Sequence, residues 1–190
     1  MKGKKVLITI VTILVVVGFL VGLVAGSYNS LVEAQTNVET KQADIQAQLQ
    51  RRADLIPNFV ATVKGYSNFE KETLAAVTEA RAAVSKASNG DELSEASDNL
   101  DKAISVWVNA VTEAYPELKA NTNYVALQDE LAGTENRIAV ARKDYNEAVQ
   151  KYNTMIRKFP KNILAGMFNF ENAEFFKADE NSQTVPSVEF

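Results

Sequence analysis

A run of twenty residues without a charge, from Val6 to Ala25, constrains this chain more than any other feature of its sequence. At about 1.5 Å per residue, a helix of that length crosses the roughly 30 Å hydrocarbon core of a bilayer. The run is rich in Val, Ile and Leu, and it predicts a retained membrane anchor. A cleaved signal peptide is the alternative, because small residues follow at 24–27, but its apolar region would span only about 7–15 residues.

The charges around this run predict its orientation. Lys2, Lys4 and Lys5 precede it, and the next basic residue is Lys41. The positive-inside rule therefore places the N-terminus in the cytoplasm and the rest of this single-pass protein outside the cell membrane. Without those three lysines the net charge of −4 becomes −7 for residues 27–190. We expect that part to repel nucleic acid and anionic headgroups.

Three glycines within or just after the apolar run are spaced by four residues. Gly18, Gly22 and Gly26 form a doubled G-x-x-x-G pattern, which allows the backbones of transmembrane helices to approach closely. The pattern predicts a homo-oligomer associated through the membrane. The alternative is that these residues reflect the general abundance of glycine in transmembrane helices.

The chain has no cysteine and no histidine. It therefore cannot form a disulfide, a thiolate metal site or a Ser-His-Asp triad. A carboxylate di-metal site of the helical-bundle type would also lack its histidine. We predict a non-enzymatic protein with no metal and no cofactor.

Residues 27–160 show helical periodicity almost throughout. Four helices are predicted. The first covers about 28–66, and the second begins at a capping box at 67–70 and ends at Asn89. The third runs from Asp91 and ends before Pro116, and the fourth runs from about Thr122 and is ended by Pro160. Apolar residues at heptad spacing are Leu31, Val38, Ile45, Phe59 and Tyr66 in the first helix, and Tyr124, Leu131, Ile138, Tyr145, Tyr152 and Phe159 in the fourth.

These helices predict an all-α fold, in which a transmembrane helix precedes an antiparallel four-helix bundle with two long and two shorter helices. The shorter pair covers only half of the longer pair, so we expect a two-helix stalk of residues 28–48 and 141–159 next to the membrane. The predicted domains are the anchor at 1–26, the bundle at 27–160 and an aromatic-rich tail at 161–190.

The first predicted helix carries an arginine where its heptad pattern calls for an apolar residue. Arg52 lies seven residues after Ile45, and the structural interpretation is a buried ion pair with Asp98 or Asp101 of another helix. Arg51 points elsewhere, and its neighbour on the helix surface is Asp54.

The alternative is a binding site for a partner's carboxylate or phosphate. Pro57 favours it by predicting a kink or broken turn. The candidate motif consists of Arg51, Arg52, Asp54, Pro57, Asn58, Lys64 and Tyr66.

The tail contains two candidate contact segments. Its aromatic residues Phe168, Phe170, Phe175 and Phe176 are expected near the membrane, where they either cover the stalk or enter the bilayer interface. The last residues include Val185, Pro186, Val188 and Phe190, and they either add as a strand to a partner or form a frayed terminus.

Several segments together resemble the LemA family. The similarity rests on Gln48-Leu49-Gln50-Arg51-Arg52-Ala53-Asp54-Leu55-Ile56-Pro57-Asn58, Tyr115-Pro116-x-Leu118-Lys119-Ala120-Asn121, Arg142-x-x-Tyr145-Asn146 and Phe168-Asn169-Phe170. The resemblance implies a bacterial helical-bundle membrane protein without an established biochemical activity. Some family members are associated with magnetosome membranes, and others occur beside envelope-stress metalloproteases.

Two functions are expected from these features. The first is a non-enzymatic, membrane-anchored scaffold or membrane-organising protein that projects a helical bundle from the cell surface and self-associates. The second is a binding adaptor for another envelope protein, such as a membrane protease.

Overall fold

Every regular element in the described part of the chain is helical. The computed structural model describes residues 2–63 and 71–177, and within these ranges it contains no strand. The helices are α1 (Lys2–Val63), α2 (Lys71–Lys86), α3 (Gly90–Ala114), α4 (Thr122–Arg157) and α5 (Lys161–Met167), with a 3-10 helix at Pro116–Ala120. The predicted all-α class is confirmed.

Helix α1 contains both the apolar run and the first helix predicted after it. The large apolar side chains from Leu7 to Val24 are all exposed, and the segment is long and apolar enough to cross a membrane. The long apolar N-terminal helix predicted from the sequence is therefore confirmed. The broken turn predicted at Pro57 is absent, because α1 remains helical through this residue to Val63. Ala53 and Ile56, in the turn just before Pro57 that lacks one N–H bond, are both buried.

The start of α3 is fixed by a side-chain cap at Asn89, a residue that the sequence analysis took as the end of the preceding helix. The capping box predicted at 67–70 lies outside the described residues. Asn89 Oδ1 accepts a hydrogen bond of 2.8 Å from the backbone N–H of Glu92. The Glu92 carboxylate in turn accepts hydrogen bonds of 2.8 Å from the N–H and the hydroxyl of Ser88. This reciprocal arrangement satisfies donors that a helix leaves unpaired at its start. Helix α3 consequently begins at Gly90, whereas α2 ends at Lys86.

The described side chains in the heptad rows of the first and fourth predicted helices lie in the core, with one exception. The predicted positions Phe59 and Tyr66 are outside the described side chains. Leu31, Ile45, Tyr124 and Tyr145 are among the most deeply buried residues. Phe159 is 81% exposed, so its assignment to the buried row was wrong. Helix α4 ends at Arg157, and the helical spacing that would direct this side chain inward stops there.

The chain forms two compact units. The first contains the chain up to Val38 together with Ala148–Ala173, and the second contains Glu39–Glu147 together with the chain from Glu174. Buried residues of the first unit include Leu31, Val38, Val149, Tyr152, Ile156 and Leu164. Buried residues of the second unit include Ile45, Leu49, Leu100, Trp107, Tyr124 and Tyr145. The three-domain division and the four-helix arrangement stay predictions.

Candidate functional site

Arg52 is buried in the second unit, where it faces carboxylates of two other helices. Its Nη1 lies 3.2 Å from Asp101 Oδ1 of α3, and its Nη2 lies 3.6 Å from Glu135 Oε2 of α4. Only 6% of Arg52 is exposed. The heptad register thus places the guanidinium inside the helical assembly, and Asp101 is one of the two partners predicted from the sequence.

A second arginine approaches the same aspartate. Arg142 Nη2 of α4 lies 3.5 Å from Asp101 Oδ2 and also donates a hydrogen bond to the hydroxyl of Ser97. We call Arg52, Asp101, Glu135 and Arg142 the arginine cluster. Its two guanidiniums and two carboxylates balance in formal charge. Asp101 is the shared member, since both arginines contact its carboxylate.

Burial dominates the electrostatics of Asp101. Removal of the carboxyl group from water raises the pKa of Asp101 above its ordinary value, and the positive charges of Arg52 and Arg142 act in the opposite direction. The Nε atom of Arg52 has no hydrogen-bond partner among the described residues. The cluster therefore links α1, α3 and α4 by charge attraction around the buried Arg52, while the Glu135 side chain lies largely in water. Loss of a partner of a buried charge is costly.

The neighbouring arginine of the motif lies on the surface. Arg51 Nη2 is 2.8 Å from Glu130 Oε1 of α4, and this hydrogen bond lowers the pKa of Glu130. Asp54 pairs with Arg81 of α2 at 2.6 Å and accepts a hydrogen bond from Gln50 at 3.0 Å. The predicted Arg51–Asp54 pair is therefore wrong, because both side chains reach partners on other helices instead.

The rest of the predicted motif does not converge on one place. Pro57 and Asn58 are exposed on α1. Lys64 and Tyr66 lie outside the described residues. The described residues of the motif therefore lie on two sides of α1. Arg52 is on the buried side, and Arg51, Asp54, Pro57 and Asn58 are exposed.

The three glycines of the apolar run leave open space beside α1. A Cβ atom added to Gly18, Gly22 or Gly26 would meet no atom of the described chain within 4 Å. Their spacing of four residues places them on one side of the helix. This side offers a shallow surface for the close approach of another helix.

The aromatic residues of the tail divide between the two units. In the first unit, the rings of Phe168 and Phe170 lie 4.9 Å and 5.9 Å from the Tyr28 ring in edge-on geometry. In the second unit, Phe176 is buried and Phe175 is exposed. The predicted C-terminal peptide with Val185, Pro186, Val188 and Phe190 lies outside the described residues.

Two asparagines that the sequence analysis did not select fasten the tail. In the second unit, Asn146 donates to the carbonyl of Phe176 at 3.0 Å and accepts from its N–H at 2.8 Å. In the first unit, Asn153 makes the same pair of bonds with Ala173, at 2.8 Å and 2.9 Å. A signal was present in the sequence, since these amides lie seven residues apart among the apolar positions of α4.

Among the described residues, no group of three or more acidic side chains is placed to hold a metal ion. The arginine cluster contains two carboxylates, but each faces a guanidinium. Cationic neighbours of this kind oppose the binding of a metal cation. The arrangement is suited to holding helices together.

The chain thus combines an all-helical domain with one N-terminal helix that is compatible with a membrane span. The sequence model of the LemA family matches residues 41–190, which is well over half of the chain. A protein named Protein LemA from Metamycoplasma hominis is 30% identical over 171 residues, covering 86% of this chain and 75% of the relative. The chain belongs to the LemA family.

Magnetosome proteins are among its relatives. Magnetosome protein MamQ 2 of Paramagnetospirillum magneticum is 25% identical over 201 residues, covering 93% of this chain and 74% of the relative. Magnetosome protein MamQ of Magnetospirillum gryphiswaldense is 22% identical over 200 residues, covering 92% and 73%. Neither the family description nor these names denote an enzyme.

Proposed function

We propose that this chain is a non-enzymatic scaffold of the bacterial envelope, anchored in the cell membrane by α1 and able to self-associate. The observation that carries the proposal is the exposure of every large apolar side chain from Leu7 to Val24. Each such side chain left in water forgoes roughly 1.5–3 kcal/mol of burial free energy. Hydrocarbon, or another span within it, is the environment that satisfies such a segment.

The relatives support a role at a membrane. Three of them bear the name magnetosome protein, and the family resemblance described above includes members associated with magnetosome membranes. Because this chain and the magnetosome proteins are related, their common role is more easily a general one, such as organising a membrane surface, than chemistry specific to one compartment. The anchor is oriented with Lys2, Lys4 and Lys5 in the cytoplasm, which places the helical domain outside the cell membrane.

The projecting part is an antiparallel four-helix bundle. Pairs within the second unit support this arrangement, because residue numbers rise along one helix as they fall along its neighbour. The pairs are Gln46–Ala87 and Asp54–Arg81 between α1 and the α2 segment, Lys41–Asp144 and Arg51–Glu130 between α1 and α4, and Ser97–Arg142 and Thr112–Tyr124 between α3 and α4. The arginine cluster acts as a structural element that fixes the register of α1, α3 and α4.

Self-association occurs through the glycine side of the anchor. Gly18, Gly22 and Gly26 provide the open surface on which a second copy of α1 packs closely. Backbones brought together in this way gain van der Waals contacts that lipid tails do not supply to the same extent. A multivalent assembly of bundles at the membrane surface is the result.

The mass of the full chain in mild, native detergent tests this function. We expect a discrete homo-oligomer that dissociates when Gly18→Leu and Gly22→Leu are combined. The matched control combines Leu20→Ile and Val24→Ile, which change the same helix away from the glycine side and should leave the oligomer intact. A monomer that co-purifies with one other envelope protein would contradict the scaffold and support the adaptor.

A further inference from the structure

Helix α5 carries apolar residues on two sides, and one side is exposed. Leu164 and Ala165 are buried in the first unit, whereas Ile163 and Met167 are 55% and 71% exposed. Ile163 and Met167 lie four residues apart, so they share one face of the helix. Phe159 just before the helix and Phe168 just after it extend this exposed surface.

Basic side chains border the same surface. Lys151, Lys158 and Lys161 line an open groove of about 560 Å³ together with Phe159 and Met155. After the apolar run, the first unit contains four basic residues and only two acidic ones, although the whole chain carries a net charge of −4. Positive charge is thus concentrated beside the exposed apolar residues.

The groove and α5 lie next to the end of the apolar run. Tyr28 follows Ala25 by three residues, or about 4.5 Å along the helix. Its ring is 4.9 Å from the ring of Phe168, the residue that follows α5. Lys161, the first residue of α5, donates a hydrogen bond to Ser30. Both ends of α5 are therefore fastened to α1 within two turns of the predicted hydrocarbon boundary.

We propose that α5 forms a second membrane contact, in addition to the anchor. Phe159, Ile163, Met167 and Phe168 enter the interface of the leaflet from which α1 emerges, and the bordering lysines meet anionic headgroups. This proposal rests on the proposed span of α1. Aromatic and aliphatic side chains favour the interface, and lysines extend from it to phosphate groups. The surface holds the base of the domain against the bilayer.

The charges close to the groove, and not the net charge of residues 27–190, determine whether this surface attracts an anionic headgroup. The sequence analysis expected residues 27–190 to repel anionic headgroups because of their total charge. Charges farther away than a Debye length, about 8–10 Å, are largely screened. The lysines around the groove are then the charges that an adjacent headgroup experiences, and they attract it.

A bilayer suits this surface better than a second copy of the chain does. A symmetric contact between two copies would place the lysines of one groove near those of the other. Like charges held together in this way oppose association. An anionic bilayer instead complements both the apolar face and the positive border.

The absence of cysteine allows a direct test with the full chain. A spin label is attached through Met167→Cys, and the protein is reconstituted into nanodiscs of phosphatidylcholine and phosphatidylglycerol. The accessibility of the label to oxygen and to a water-soluble nickel chelate reports its depth. Val140→Cys is the matched control, because Val140 is 60% exposed in the second unit. Leu14→Cys reports the span.

We expect the oxygen-to-nickel accessibility ratio at Met167→Cys to be several-fold higher than at Val140→Cys. Adding Lys151→Gln and Lys158→Gln, or omitting phosphatidylglycerol, should reduce this ratio at Met167→Cys. Lys102→Gln should not reduce it, because Lys102 is an exposed lysine of the second unit. Equal ratios at Met167→Cys and Val140→Cys, with Leu14→Cys still in hydrocarbon, would overturn the second contact alone. A water-exposed label at Leu14→Cys would overturn the span itself.

Two further results would assign the surface to another occupant and overturn the proposal. Spin–spin broadening at Met167→Cys that persists when Gly18→Leu and Gly22→Leu are added, and disappears on dilution with unlabelled chain, would identify a second copy on this surface. A high ratio that is lost on removal of residues 178–190 would identify the chain's own C-terminal segment.

Discussion

The Asp101 carboxylate lies 3.2 Å from the Arg52 guanidinium, and its other oxygen lies 3.5 Å from that of Arg142. Asp101 on α3 therefore pairs with two arginines, Arg52 on α1 and Arg142 on α4. Removing Arg52 leaves Asp101 with one cationic partner, whereas removing Asp101 takes a carboxylate from both arginines and leaves Arg52 with Glu135 at 3.6 Å. The members of the arginine cluster are thus unequal in their expected contribution to stability.

Asp101→Ala should be the most destabilising single change in the arginine cluster, by about 3–5 kcal/mol, because both arginines lose a partner and the buried Arg52 keeps only the longer contact to the exposed Glu135. Arg52→Ala should cost less. Arg51→Ala should cost under about 1 kcal/mol, because its pair with Glu130 is solvent-exposed. Trp107, the single tryptophan, is buried in the same unit and reports denaturant unfolding of the full chain in detergent.

The neighbouring arginines provide the control for this series. If Arg52→Ala proved as mild as Arg51→Ala and abolished association with a co-purifying protein, Arg52 would be a contact residue instead of a structural one. The proposed role of the cluster would then be wrong.

Glu92→Gln should alter how stability depends on pH. Hydrogen bonds from Ser88 hold the pKa of Glu92 below its ordinary value of 4.5 in the folded chain. A lowered folded-state pKa contributes stability above the ordinary value, and that contribution is lost as pH falls through the folded-state pKa. The stability difference between wild type and Glu92→Gln should therefore be largest at neutral pH and shrink below pH 4.5. Denaturant midpoints across this range check it, and a constant difference would contradict it.

Gly90→Ala should destabilise the second unit, whereas Gly133→Ala should not. A Cβ atom at Gly90 would lie 2.7 Å from the backbone carbonyl oxygen of Glu174 and 2.7 Å from the Tyr145 hydroxyl. Overpacking of this kind costs about 1–3 kcal/mol. At Gly133 the nearest atom is the flexible Arg137 guanidinium at 3.4 Å, so the helix propensity of alanine adds about 0.5–1 kcal/mol. Unfolding followed by Trp107 fluorescence distinguishes the two, and equal effects would contradict this assignment.

The helices and the buried register of Arg52 were predictable because both follow from periodicity within one segment. A residue seven positions after Ile45 returns to the same side of a helix whatever surrounds it. Asn89 also carried a local signal, but the sequence analysis took it as the end of the second helix, whereas it caps the start of α3. Local spacing therefore accounts for most of the described secondary structure.

Partners from distant parts of the chain were less predictable. Arg51 and Asp54 are neighbours by spacing, yet each pairs with a side chain of another helix, at 2.8 Å and 2.6 Å. The exposure of Phe159 depends on α4 ending two residues earlier. The bonds from Asn146 to the tail depend on the return of a segment thirty residues away.

The proposed topology predicts that residues after the anchor are accessible from outside the cell. A protease added to intact cells stripped of their wall should remove the helical domain, because three lysines before the span favour retention of the N-terminus in the cytoplasm. A cytoplasmic protein of known location serves as the integrity control. Protection of the domain until the cells are lysed would show the opposite orientation.

Phe176→Ala should loosen the tail and destabilise the second unit, whereas Phe175→Ala should have little effect. Phe176 is 5% exposed, and the centre of its ring lies 4.6 Å from the guanidinium carbon of Arg142. Its backbone N–H and carbonyl are both hydrogen-bonded to the side chain of Asn146. Loss of a buried phenylalanine costs about 3–5 kcal/mol. Phe175 is 46% exposed and provides a matched control one residue away. Asn146→Ala should accelerate hydrogen exchange at the Phe176 amide, since that N–H loses its acceptor. Equal unfolding midpoints for the two phenylalanine variants would show that the tail contributes no core packing at this position.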